Sequence, residues 1–126
     1  MEQFQVVSGG VAAAKGFQTA STAAGIKYKD RPDMAMIYSE QDCRLAGTFT
    51  TNVVKAAPVL WDKALVEGGK CARAVVINAG IANACTGKEG MDYCKQTAEC
   101  CGEVLNIPED SVLVASTGVI GMQLPM

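Results

Sequence analysis

The sequence predicts a domain that mixes strands and helices around a strand–helix–strand crossover unit. Three observations carry this expectation. Ala72–Asn78 is a largely apolar run ending in a polar residue, the pattern of a strand buried on both faces. Between Lys88 and Leu105 the apolar positions Met91, Cys94, Ala98, Cys101 and Leu105 step by three and four, which makes one helical stripe. Ser111–Ser116 is a second short apolar run, and Thr117-Gly118 closes it. If the two strands are parallel neighbours, the helix between them crosses over in the right-handed sense.

The elements before this unit are less sharply marked. Residues 5–29 are rich in Gly, Ala, Ser and Thr, with Gly9-Gly10 and Gly16 as punctuation, so extended backbone with tight turns is expected there. Arg31-Pro32-Asp33 signals a turn, because Pro32 disfavours a helical Arg31. Met34–Ser39 reads as a short buried strand. Leu45–Thr51 is predicted to pair with it as a hairpin through Glu40-Gln41-Asp42. Ala57-Pro58 opens a short segment, and Trp61–Glu67 is a candidate helix ended by Gly68-Gly69. Asn78–Gly87 is a Gly/Ala/Asn loop, and Asn106-Ile107-Pro108 terminates the long helix.

Composition bounds the function. The 126 residues suit one domain, and 49% apolar with 19% charged residues reads as globular. Aromatics are only 6%, so the core must come from aliphatic, Met and Cys side chains, and part of the apolar surface fits a role against a further polypeptide segment. The net charge of −2, without a Lys/Arg stripe, argues against nucleic-acid binding. The longest apolar runs are too short to span a bilayer. Met1-Glu2-Gln3-Phe4 lacks a secretory pattern, so the cytosol is the expected compartment. There is no His, which removes His-based triads and His metal sites. Cys43, Cys71, Cys85, Cys94, Cys100 and Cys101 are irregularly spaced. They read as free thiols rather than disulfides or a zinc site, with Cys94 and Cys101 in the core.

Two segments could carry chemistry. In Ala115–Gly121, a glycine directly after a strand exposes backbone N–H groups at positions 117 and 118, with the Thr117 hydroxyl beside them. Such donors suit an oxyanion hole for acyl transfer. The same pattern also describes a tight turn whose glycines serve geometry alone, and local pattern by itself favours that reading. The loop Asn78–Gly87 lies at the C-terminal end of a buried strand, where α/β folds tend to place ligands. Asn78, Asn83 and Thr86 could orient a substrate there. They could equally satisfy loop carbonyls, with Thr86 capping the following helix, and this second reading is the stronger. Thr48, Thr50 and Thr51 are discounted as nucleophiles, since a catalytic threonine commonly uses its own free α-amine as base. Cys85 has no His to activate it.

Taken in order, several blocks resemble the N-terminal region of the ornithine acetyltransferase (glutamate N-acetyltransferase) family. They are Gly9-Gly10-Val11 with Lys15-Gly16-Phe17, Ala46–Asn52 with Ala56–Val59, Asn78–Gly87, and Ala115–Gly121 with Leu124-Pro125-Met126. Two positions depart from the family's usual pattern, Ala14 where Pro is common and Ile81 where Asn is common. The resemblance implies an α+β fold in a four-layer αββα sandwich, of which these 126 residues would be a truncated N-terminal portion of the α chain. It also implies a precursor that cleaves itself to expose a threonine at the start of a β chain. That threonine takes an acetyl group from N-acetylornithine and passes it to glutamate, with acetyl-coenzyme A a further donor in some members. No cofactor or metal is implied, and the assembly would hold two copies of each cleaved chain. The family's oxyanion hole falls here on Thr117 and Gly118. On this view the 126 residues lack the nucleophile and are inactive alone. A self-processing aminopeptidase of the same architecture would instead cleave peptide amides. A non-catalytic α/β binding or assembly module would be a self-sufficient monomer.

Overall fold

The computed structural model describes residues 3–126, so Met1 and Glu2, part of the stretch read for a secretory pattern, lie outside the described residues. Among the described residues four strands and two α-helices follow in the order β1 (Phe17–Thr22), β2 (Met34–Arg44), α1 (Ala57–Glu67), β3 (Cys71–Asn78), α2 (Gly87–Leu105) and β4 (Val112–Ser116). One mixed sheet runs β1-β2-β3-β4, with β1–β2 and β2–β3 antiparallel and β3–β4 parallel. The expected crossover unit is therefore β3–α2–β4.

The hairpin differs from expectation. Met34–Ser39 pairs with β1 and β3, while Leu45–Thr51 forms no strand at all. Instead of turning at Glu40-Gln41-Asp42, the chain continues through a large bulge. Tyr38 pairs with Ala74 and Cys43 with Ala72, so residues 39–42 all face Arg73. The Arg73 guanidinium donates to the carbonyls of Ser39 (3.2 Å) and Glu40 (3.1 Å) and to the Tyr38 hydroxyl, and so absorbs the polar insertion into the sheet. In the following segment, side chains satisfy the local backbone and compete with strand pairing. Thr50 Oγ1 accepts from Asn52 N (3.1 Å), and Asn52 Oδ1 accepts from Val54 N (3.0 Å).

Strand alternation divides the sheet into two unlike faces. Met34, Met36, Ala74, Val76, Val112 and Val114 point toward the helices and join Cys94, Ala98 and Cys101 of α2 in one core. Val112 and Ala98 are wholly buried, and the helical stripe is the one the sequence predicts. The other face carries Ala35, Ile37, Val75, Ile77, Leu113 and Ala115, all half-buried, and none of them joins the core shared with the helices. β3 is thus buried on one face and only half-buried on the other. The helix α2 ends at Asn106, in the left-handed conformation (φ 53°), where its N–H bonds the Glu103 and Gly102 carbonyls.

α1 covers the outer edge of β4. Trp61 Nε1 donates to the Val112 carbonyl (2.9 Å), and an Asp62 carboxylate oxygen accepts from the Val114 N–H (3.0 Å). Burial against this edge pushes the Asp62 carboxyl up to about 6, although the Val114 N–H opposes the shift. The neighbouring Cys94 thiol is pushed up to about 12 by burial and by the Asp62 charge, so it stays protonated in the core.

Candidate active site

The two segments singled out from sequence meet at one end of the sheet. Asn78 of β3 pairs with Ser116 of β4, and the register continues into both loops. Thr117 N donates to Asn78 O (3.1 Å), Val119 N to Gly80 O (3.1 Å) and Ala82 N to Val119 O (3.0 Å), with a parallel bridge between Ile81 and Val119. The contact itself requires glycine at position 118, while at position 80 the positive φ favours it. Gly118 (φ +141°) and Gly80 (φ +104°) lie so close that a Cβ on Gly118 would sit 2.3 Å from the Gly80 carbonyl carbon.

This register corrects one detail of the donor set. The Thr117 N–H is already committed to Asn78 O, so what Thr117 can offer is its hydroxyl rather than its backbone N–H. Residues 117 and 119 both donate toward β3 and its loop, and backbone alternation therefore turns the Gly118 N–H the other way. Among the described residues neither that N–H nor the Thr117 hydroxyl has a hydrogen-bond partner, and both residues are exposed. The result is a hydroxyl and an amide side by side on rigid backbone at the surface.

Ser116 and Asn83 hold the turn in place. Ser116 Oγ accepts from Asn83 N (2.9 Å) and donates to Ile81 O (3.3 Å). Asn83, only 2% exposed, donates from Nδ2 to Gly90 O (2.7 Å), and its Oδ1 accepts from the Thr86 hydroxyl (2.5 Å). Its carbonyl accepts from Ala57 N (3.3 Å). One side chain and its peptide groups thus join the start of α1, the start of α2 and the end of β4. Asn78 Nδ2 donates to Ile81 O (2.8 Å). The polar groups of Asn78 and Asn83 satisfy the loop, as the stronger sequence reading has it. Thr86 occupies the N-cap position of α2, but its hydroxyl turns to Asn83 instead of capping the helix. Gly90 makes room for this cluster, since a Cβ there would lie 1.8 Å from Thr86 Oγ1.

Other features shape the surroundings. Gln123 Nε2 donates to Glu89 Oε2 (2.8 Å) and Thr86 O (3.4 Å), which ties the chain beyond Gly118 to α2. α1 and α2 both begin at this end of the sheet, so their positive dipole ends favour negative charge near the turn. A cavity of about 500 Å³, lined in part by Lys55, Leu60, Cys85 and Lys88, opens beside the two helix starts. Ile81, 3% exposed, packs inward and so presents no side chain to a ligand. Thr48, Thr50 and Thr51 lie in the irregular segment before α1, away from any strand.

The sequence placed the Thr117-Gly118 turn and the Asn78–Gly87 loop but did not single out Ser116 or the hub role of Asn83. A signal was present. Gly80 and Gly118 each stand two residues beyond Asn78 and Ser116, so parallel pairing of those strands brings the glycines level.

Comparison with known proteins identifies relatives of this arrangement. A family model described as the ArgJ family matches residues 18–126. The arginine biosynthesis bifunctional protein ArgJ of Gloeobacter violaceus is 47% identical over 126 residues, covering 100% of this chain and 31% of its own length. The protein of the same name in Thermotoga neapolitana is 51% identical over 113 residues, covering 89% of this chain and 28% of its own. The chain thus spans less than a third of these curated relatives. A crystal structure of the Bacillus halodurans protein of that name superposes with a TM-score of 0.87 at 40% identity, covering 94% of this chain and 61% of that one. Ornithine acetyltransferase from Mycobacterium tuberculosis, crystallised with ornithine, gives a TM-score of 0.85 at 44% identity, covering 90% and 62%. The fold is accordingly the α+β fold of those structures.

Proposed function

The chain belongs to the ArgJ family, and from that premise we propose that it is the N-terminal part of an acetyltransferase of arginine biosynthesis, in which Thr117 and Gly118 form the oxyanion hole. The reaction moves an acetyl group from N-acetylornithine to glutamate. A threonine hydroxyl from a part of the protein outside these 126 residues attacks the acetyl carbonyl. Its proton passes to the departing amine of ornithine, and an acetyl-threonine ester remains. The amine of glutamate then attacks that ester and regenerates the hydroxyl. The α-amine of that threonine, free once it heads its own chain, is the natural base.

In both steps the carbonyl oxygen becomes an oxyanion. The observation that carries the reading is the pair of unpartnered donors at the turn, the Thr117 hydroxyl and the Gly118 N–H. They lie on backbone fixed by the Gly80 contact, so little reorganisation is needed when charge develops. The half-buried apolar sheet face around Ile37, Val75 and Leu113 supports a second sheet stacking there, which would complete an αββα sandwich. The remaining α segment and the β chain of the same precursor, in an assembly with two copies of each, would supply that layer and the nucleophile. Acetyl-coenzyme A is a possible second acetyl donor.

The test is a direct assay of the full-length protein carrying this chain. Ornithine release from N-acetylornithine that depends on glutamate, with N-acetylglutamate formed in equal amount, is the expected result. Cleavage of peptide amides without acetyl transfer would overturn the proposal in favour of a self-processing aminopeptidase.

A further inference from the structure

The loop between β1 and β2 is the most densely positive stretch of the chain, with Lys27, Lys29 and Arg31 inside five residues and only Asp30 of opposite sign among them. A run of this kind is usually a solvated face, but here the fold anchors it at the candidate site. Asp33, 4% exposed, accepts hydrogen bonds from Ala24 N (2.6 Å) and Ile26 N (2.7 Å) through its carboxylate, which closes the start of the loop onto its end. Its carbonyl accepts from Ala79 N (2.8 Å), the residue before Gly80. The loop therefore lies against Gly80, where an added Cβ would meet Lys27 Cβ at 3.1 Å and the Tyr28 ring at 3.9 Å. Gly80 in turn is the backbone that Gly118 touches. One glycine thus separates the cationic loop from the turn that carries the free donors.

The charges are also gathered. Lys27 Nζ lies 5.0 Å and the Arg31 guanidinium carbon 4.5 Å from the centroid of the Tyr28 ring. Among the described residues the ion pairs are Lys63–Glu67, Lys70–Asp110 and Lys95–Glu99, so none involves Lys27, Lys29 or Arg31. Two cations restrained on one ring, without a carboxylate partner and beside an acyl-transfer turn, are suited to an anionic ligand. They lose less freedom on binding than cations on a free loop would.

We propose that Lys27, Tyr28 and Arg31 form the anion-recognition edge of the Thr117–Gly118 site, holding a carboxylate or phosphate of the acyl donor or acceptor while the acyl carbon lies at the turn. The proposal rests on the acyl-transfer reading and adds a substrate contact to it. Carboxylates occur in N-acetylornithine and glutamate, and phosphates in a coenzyme A thioester.

The test is steady-state kinetics on the full-length protein with Lys27→Gln, Arg31→Gln and the double variant. One arm uses N-acetylornithine with glutamate, and the other acetyl-coenzyme A with glutamate. Each lost charge should raise the KM of the anionic ligand about fivefold, the size expected of one partly exposed ion pair. The kcat should stay within about twofold, because the contact is the same in ground and transition states. Added salt should shrink the difference between wild type and variant, and Lys27→Arg should retain the wild-type KM. A rise confined to acetyl-coenzyme A identifies the phosphate, and a rise confined to the amino-acid substrates identifies the carboxylate. Unchanged KM values in both arms overturn the proposal and leave acetyl transfer standing. A wild-type protein that transfers no acetyl overturns the reading beneath it as well.

Discussion

A methyl group added at Gly118 would sit 2.3 Å from the carbonyl carbon of Gly80, on a backbone whose φ of +141° L side chains rarely adopt. Gly118→Ala must therefore separate the two loops. It should destabilise the protein by roughly 2 kcal/mol or more, read by urea unfolding, and abolish acetyl transfer. Thr117→Val asks a different question, because Thr117 is exposed and its hydroxyl has no partner among the described residues. Stability should change by less than about 0.5 kcal/mol. The kcat for acetyl transfer should fall on the order of 10²- to 10³-fold, the usual loss for one oxyanion donor. A kcat close to wild type would remove Thr117 from the proposed hole. Asp62 sets a pH dependence. Its folded-state carboxyl titrates near 6 against 3.8 in the unfolded chain, so between those values the folded state holds the extra proton. Stability from this group is present below about pH 4 and is lost as pH rises through 6. Because the carboxyl is only half-buried, the effect is about 1 kcal/mol after allowance for solvent screening. Asp62→Asn, which still accepts from Val114 N–H, should flatten that slope and be the more stable form at pH 8 in thermal melts.

At the level of the elements, the start of α2 reverses the usual rule for helix substitutions. Alanine in place of a helical glycine is ordinarily worth about 1 kcal/mol in the helix's favour. At Gly90 the new Cβ would meet Thr86 Oγ1 at 1.8 Å and Asn83 Oδ1 at 2.5 Å. Gly90→Ala should therefore destabilise, by roughly 1–3 kcal/mol. A double-mutant cycle with Thr86→Gly should recover part of that loss, because two of the three nearest atoms belong to Thr86. Additive losses would show that Thr86 is not what Gly90 accommodates. The same cluster explains how two helices and a strand end are held at fixed distances around the Thr117-Gly118 turn, since Asn83 bonds to all three elements.

For the whole molecule, the decisive feature is the contrast between the two sheet faces. One is closed by α1 and α2, and the other leaves Ile37, Val75, Ile77 and Leu113 only half-buried and outside the core shared with the helices. Apolar surface of this kind favours association. The isolated 126-residue polypeptide should elute in gel filtration as an oligomer and show no acetyl transfer. Ile37→Lys and Leu113→Lys should shift it toward monomer while far-ultraviolet circular dichroism stays unchanged. A stable monomer without those substitutions would favour a self-sufficient binding module.

Much of this architecture was legible in the chain because it is locally encoded. The stripe from Met91 to Leu105 can bury only one helix face, and the runs ending at Asn78 and Ser116 bracket it, so β3–α2–β4 followed from periodicity alone. The hairpin was not legible. Glu40-Gln41-Asp42 has turn-like polarity, and it is Arg73, far along the chain in the neighbouring strand, that receives it as a bulge. The Thr117-Gly118 turn could be placed from sequence, but which of its donors remain free depends on the β3–β4 register, which commits the Thr117 N–H and releases that of Gly118. Local propensity marked β3, α2 and β4 but misread Leu45–Thr51, which forms no strand. Hydrogen bonds and close contacts between residues far apart in sequence decided how the segments paired and which polar groups were left without a partner, because those depend on the partner brought alongside rather than on neighbours in the chain.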